Sequence, residues 1–194
     1  MKLSLTVSID GKVASGYAVQ EIGIYENPVP VGLVPAKRLL FLRGDALLLQ
    51  TGGGGVVVSP MSKRGADLPY ESIPFFSCGV TWDGKTNAQY VRALGALKSP
   101  CEIPAKAMPL LVYLPPQPDG SPTILQLGSS AGDHELKVIA ATMEISRAPI
   151  THPPLRSVAW IAELIDGTSR VHWLPLGDLK LALTRADFVR ERFE

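Results

Sequence analysis

Residues 1–19 read MKLSLTVSIDGKVASGYAV, and their pattern decides what kind of fold follows. Leu3, Leu5, Val7 and Ile9 alternate with Ser4, Thr6, Ser8 and Asp10. Successive side chains of a strand point to opposite faces, so this alternation predicts a half-buried strand. It also keeps the stretch from reading as an export signal, which needs an unbroken apolar run after its lysine. Asp10-Gly11 supplies a two-residue turn, because glycine accepts positive φ without steric cost. KVASGYAV then becomes the returning strand of a β-hairpin.

Outward from this hairpin, apolar runs recur at EIGIY (21–25), RLLFL (38–42), ALLLQT (46–51) and VVVS (56–59). They are separated by Asn27-Pro28, Gly44-Asp45 and the glycine run 52–55, and they predict a strand meander. SIPFFSCGVTW (72–82) has strand-like composition and ends at Asp83-Gly84. TNAQYVRALGALKSP (86–100) changes period: Tyr90, Leu94 and Leu97 share a helical face, Thr86 or Asn87 can cap it, and Pro100 stops it. MPLLVYLPP (108–116) predicts an edge strand, where proline's missing N–H does little harm. TILQL (123–127) predicts a strand, while DHELKVIAATMEI (133–145) fits either period. SVAWIAELID (157–166) reads as a strand that turns at Asp166-Gly167 onto SRVHWLPL (169–176), and TRADFVRERF (184–193) as a closing helix with Thr184 and Asp187 in capping-box register. The expected architecture is one domain over 1–194, mainly β with α+β as the alternative: an antiparallel sandwich or partly closed barrel with two or three peripheral helices.

Composition narrows the function classes. The chain of 194 residues is 46% hydrophobic and 19% charged, a balance that folds. A net charge of +1 argues against affinity built on neutralising many phosphates, and Lys37-Arg38 with Arg43, and Lys63-Arg64, read as solvated loop charge. The uncharged window 46–62 is broken by four glycines, Gln50, Thr51 and Pro60, so it is a poor bilayer span. Cys78 and Cys101 have neither disulfide-framework density nor metal-pair spacing and are expected as buried free thiols in a reducing cytoplasm. His134, His152 and His172 are widely spaced, and HELKV lacks the second histidine of a zinc helix, so no metal and no cofactor are expected. Glu135, Glu144, Glu163 and Asp166 read as solvent-facing charges at strand ends.

Two glycine-bearing stretches carry the remaining chemistry. In LLLQTGGGGVVVSP (47–60) the glycines lead into three β-branched residues and no lysine, so the stretch lacks what a phosphate loop requires and a hairpin tip is expected. LQLGSSAGDHEL (125–136) contains G-x-S-x-G directly after a strand, the pattern of a nucleophile elbow. Together they resemble the hormone-sensitive-lipase-like branch of the α/β-hydrolase family, in which an HGGG oxyanion loop precedes a GDSAG elbow and an acid and a histidine follow. The resemblance implies Ser130 as nucleophile, His172 as general base and Asp166 as the residue orienting the imidazole. Backbone N–H groups of Gly53, Gly54 and Ala131 would receive the oxyanion. This chain departs from the family: Thr51 stands in place of the histidine, 64 residues follow Ser130, and the first half reads as a meander where a parallel sheet needs crossover helices.

The leading expectation is therefore a non-enzymatic binding or assembly module of a bacterial or phage protein complex, cytoplasmic or in a virion, with a protein partner or further copies of itself and no membrane. The small serine esterase using Ser130, Asp166 and His172 is the second class. The third is a single-strand nucleic-acid binder using Trp82, Tyr90 and Arg92, where aromatic and basic residues approach one another.

Overall fold

The computed structural model describes residues 1–26, 38–61, 73–81, 84–116, 123–125, 135–176 and 179–190. Its first element is the predicted hairpin. Strand β1 (Lys2–Ile9) pairs antiparallel with β2 (Lys12–Val19), and Asp10 (φ 50°) and Gly11 (φ 76°) both occupy the left-handed region that a tight hairpin turn demands. The turn is held further by Asp10 and Glu135: the Asp10 N–H donates to the Glu135 carbonyl and the Glu135 N–H to Asp10 Oδ1, each at 3.1 Å. Leu3, Leu5, Val7 and Ile9 are all buried, each contributing about 1.5–3 kcal/mol relative to exposure.

β1 also pairs with β10 (Leu136–Glu144), so the segment that fitted either period is a strand. Its register slips by one between Thr6 and Val7, leaving Ile139 as the extra residue of a bulge. β7 (Cys101–Glu102) completes a four-stranded sheet of order β2-β1-β10-β7. A second four-stranded sheet, β5-β6-β8-β9, is built from β5 (Leu47–Gln50), β6 (Val56–Ser59), β8 (Leu111–Leu114) and β9 (Thr123–Leu125). The inner faces of the two sheets share one apolar core, in which Leu3, Leu5 and Met143 from the first meet Leu47, Val57 and Leu111 from the second. All strand pairings described are antiparallel. This is the sandwich form of the expected architecture. β8 is interior to its sheet and not the expected edge strand, because Pro109, Pro115 and Pro116 flank the four paired residues instead of interrupting them.

Three helices lie outside the sheets, and two of them replace expected strands. α1 (Ile73–Cys78) packs on β7 and β10; Pro74 falls in its first turn, where a missing N–H breaks no hydrogen bond. α2 (Asn87–Gly95) is the predicted helix. Its capping box is formed by Thr86, whose hydroxyl accepts from the Gln89 N–H, and by Gln89, whose side chain accepts from the Thr86 N–H. α3 (Ala159–Asp166) stands where a strand was expected: Ile161 and Leu164 are buried at helical spacing, and Gly167 at φ 78° ends the helix instead of opening a hairpin. β11 (His172–Leu176) pairs with β12 (Leu179–Leu183), not with residues 157–166.

The expected closing helix is one 3-10 turn (Arg185–Asp187) with the predicted Thr184–Asp187 capping box, after which β13 (Val189–Arg190) joins β4 (Arg38–Asp45). The Phe188 ring is buried edge-to-face against Trp160, with centroids 5.4 Å apart, and this anchoring outweighs the helical pattern of the tail. Cys78 and Cys101 are not free thiols: they form a disulfide joining the end of α1 to β7, with Cα atoms 5.3 Å apart. The expectation of free thiols failed because bond-forming proximity comes from packing, which spacing in sequence does not display. The ground it gave for a reducing cytoplasm goes with it.

Candidate functional site

The meander of the first half is three hairpins, and the middle one, β3 (Glu21–Glu26) with β4, differs from the others. β2 runs into β3 at Gln20, and β4 runs into β5 at Ala46. β2 belongs to one sheet of the sandwich and β5 to the other, so β3 and β4 form a two-stranded ribbon whose two legs part into the two layers.

The parting point is a built joint. Gln20 is buried; its N–H donates to the Met1 carbonyl at 2.7 Å and its side-chain amide to the Asp45 carbonyl at 2.9 Å. The Ala46 N–H donates to the Phe188 carbonyl at 2.7 Å. Gly44 takes φ 133°, and a Cβ there would meet Ile150 and Gln20 at 3.2–3.4 Å, so both dihedral and space ask for glycine. Thr151 continues the pairing beyond β2: its N–H donates to the Val19 carbonyl at 3.2 Å and its hydroxyl accepts from the Val19 N–H at 2.8 Å. His152 Nδ1 lies 2.9 Å from Asp45 Oδ2, an imidazole exposed to water against a carboxylate largely withdrawn from it. This pair buttresses the joint, and nothing in the spacing of the three histidines announced it.

Along the ribbon, the register sets Glu21 opposite Arg43, Ile22 opposite Leu42, Ile24 opposite Leu40 and Glu26 opposite Arg38. Glu21 and Arg43 form an exposed ion pair at 3.6 Å. Among the described residues β3 has a strand neighbour on one side only, and β13 covers β4 no further than Gly44 and Asp45. Among the described residues, both edges over the six paired residues therefore have no further strand beside them. Ile22 and Ile24 also line an apolar cleft of about 470 Å³, together with Val91 and Leu94 of α2 and with Ile145 and Ile150. An open strand edge beside an apolar cleft can take up an extended segment by main-chain hydrogen bonding, with alternate side chains entering the cleft.

The outward face of the first sheet offers less. Val13, Tyr17 and Ile139 are exposed there, but Ser4, Thr6, Ser8 and Ser15 separate them, so they are scattered apolar residues and not one patch.

The residues expected to catalyse are not assembled among the described residues. Ser130 and Ala131 lie outside them, and His172 is the first residue of β11, its side chain also outside the description. Asp166 ends α3 in an exposed ion pair with Arg156. The glycine run is the expected hairpin tip: the Gly54 N–H donates to the Thr51 carbonyl at 3.0 Å, and the Thr51 N–H and hydroxyl both donate to the Gly55 carbonyl at 2.9 Å. The Gly54 N–H is thus engaged inside the turn, and Gly53 is exposed at the tip. A parallel sheet, which the resemblance implied, is absent among the described strands.

Of the expected nucleic-acid surface, Trp82 lies outside the described residues and Arg92 is exposed on α2. Tyr90 is fully buried, and burial holds its phenol above the usual range; a ring in the core has no face to stack on a base. No set of His, Cys, Asp and Glu among the described residues is placed to hold a metal ion, and no described helix is long and apolar enough to cross a membrane. Comparison with protein-family models, with curated proteins and with solved structures finds no match.

Proposed function

We propose that this protein is a non-enzymatic binding or assembly module of a protein complex, of the kind found in bacterial and phage assemblies, and that the β3–β4 ribbon is its contact surface. The observation that carries the reading is the ribbon's composition in its setting. Leu39, Leu40, Phe41 and Leu42 are consecutive in β4. Strand residues alternate between faces, so four apolar residues in a row cannot all lie on one side. Uninterrupted runs of this kind belong to strands covered on both faces, and a two-stranded ribbon has too few strands to cover itself. Burial of a Leu or Phe side chain in an interface is worth about 1.5–3 kcal/mol relative to exposure.

A photoreactive amino acid placed at Ile24, with a second placement at Val13 on the outer sheet face as control, tests the reading in the cells of origin. The expected result is adducts from position 24 that map by mass spectrometry to a polypeptide, and none from position 13. A folded protein that gives no adducts from position 24 would refute the ribbon as the contact surface.

A further inference from the structure

The sequences of the two strands of the ribbon are oppositely charged at their register ends, and from this we infer that its partner is a second copy of this chain, docked head to tail: the β4 edge of one copy pairs antiparallel with the β3 edge of the next. The inference rests on the ribbon being the contact surface. β3 reads Glu-Ile-Gly-Ile-Tyr-Glu over Glu21–Glu26, with an acid at each end, and residues 38–43 of β4 read Arg-Leu-Leu-Phe-Leu-Arg, with a base at each end.

The alternatives are settled by register. Two β3 edges related by a twofold axis would set Glu21 of each copy opposite Glu26 of the other. Two β4 edges so related would set Arg38 opposite Arg43. Like charges directly opposite destabilise a strand pair, so both symmetric dimers are disfavoured at two positions each. Head-to-tail pairing instead repeats between copies the register that already holds within one: Glu21 opposite Arg43, and Glu26 opposite Arg38. The incoming strand meets an open edge, and the cleft of about 470 Å³ beside Ile22 and Ile24 receives the side chains on one of its faces. The incoming strand runs antiparallel to β3, as the chain's own β4 does on the other side, so successive ribbons point the same way. Each copy gives one edge and accepts another, which generates a ring if the rotation closes and a filament if it does not.

The test is self-sorting of the purified full chain. A fourfold variant, Glu21→Arg, Glu26→Arg, Arg38→Glu and Arg43→Glu, keeps opposite charges paired within the ribbon and between its own copies. Wild type and variant are each expected to sediment as assemblies larger than a dimer. Mixed and read by native mass spectrometry, they are expected to form separate populations, since a mixed contact sets like charges opposite at two positions and binds roughly tenfold more weakly. If the fourfold variant does not fold, reversal of one register pair alone, Glu26→Arg with Arg38→Glu, is mixed with wild type in the same way. Three results would overturn the inference: a wild type monomeric at every concentration, a closed dimer, or statistical mixing of wild type and variant. If the wild type is monomeric while position 24 crosslinks to a different polypeptide, head-to-tail pairing is wrong and the ribbon as contact surface survives. If position 24 gives no adducts, both fail.

Discussion

Alanine substituted in turn at the four glycines of the β5–β6 tip should produce three different outcomes, because only two of these positions require glycine. At Gly53 a Cβ has nothing within 4 Å, and at Gly52 the nearest atom is Cδ of Lys12 at 3.9 Å. Neither has a left-handed φ, so alanine there narrows the unfolded ensemble and stabilises by up to about 1 kcal/mol. Gly54 sits at φ 83° with Cβ of Pro116 at 3.4 Å, an ordinary contact, so alanine bears mainly the left-handed penalty of about 1–2 kcal/mol. At Gly55 a Cβ would lie 2.7 Å from both Cε2 and the hydroxyl oxygen of Tyr113, a residue only 4% exposed. The ring or the strand has to shift, an overpacking cost of about 1–3 kcal/mol. Urea unfolding followed by tryptophan fluorescence measures all four. In the cycle with Tyr113→Phe, which removes one of the two clashing groups, the double variant should be more stable than the two single changes sum to. Wild-type stability in Gly55→Ala, equal losses at all four positions, or strict additivity in the cycle would refute the steric account.

Three further outcomes are expected. Reducing the Cys78–Cys101 bridge, or replacing both residues with alanine, should lower stability by about 3 kcal/mol, the loop-closure value for a sequence separation of 23; denaturant curves with and without reductant, with a thiol count on the native protein, check it. Thr86→Ala should cost about 1 kcal/mol by removing the cap of α2, while Thr86→Asn should stay within a few tenths, read as shifts in the urea midpoint. Burial raises the phenol pKa of Tyr90, and burial reinforced by the negative charge of Asp10 raises that of Tyr113. The unfolded chain therefore releases these protons first, so stability is unaffected below the ordinary tyrosine value of about 10 and falls as pH rises above it. Phenolate absorbance should show these two tyrosines titrating late, and a flat alkaline stability profile would contradict the assignment.

The sequence was most informative where local chemistry and tertiary structure agree. The alternation of 1–9, the Asp10-Gly11 turn and the glycine tip each have one conformational solution, and the structure adopts it. α1 and α3 were misread because IPFFSC and SVAWIAELID are apolar on more than one side, so strand composition outweighed period. Two signals pointed the other way: Pro74 suits a first helical turn, and Gly167 after Asp166 ends a helix as readily as it turns a hairpin. The tail shows the reverse case, since Thr184 and Asp187 form the capping box that the spacing indicates, yet burial of Phe188 and pairing of Val189 with Asp45 stop the helix after one turn. Of the candidate surface, the strands EIGIY and RLLFL were legible. Their role was not, because an open edge and a cleft exist only once Gln20 and Ala46 send the two legs to different layers.

That division of the legs has a mechanical consequence. A tug along the ribbon is shared by β2 and β5 and passes as shear into β1 on one side and β6 on the other, so whole rows of hydrogen bonds resist together instead of parting one at a time. The two layers are loaded in parallel and the core between them is not pried open. A ribbon rooted in this way can bear tension from whatever holds it without spending the fold that displays it.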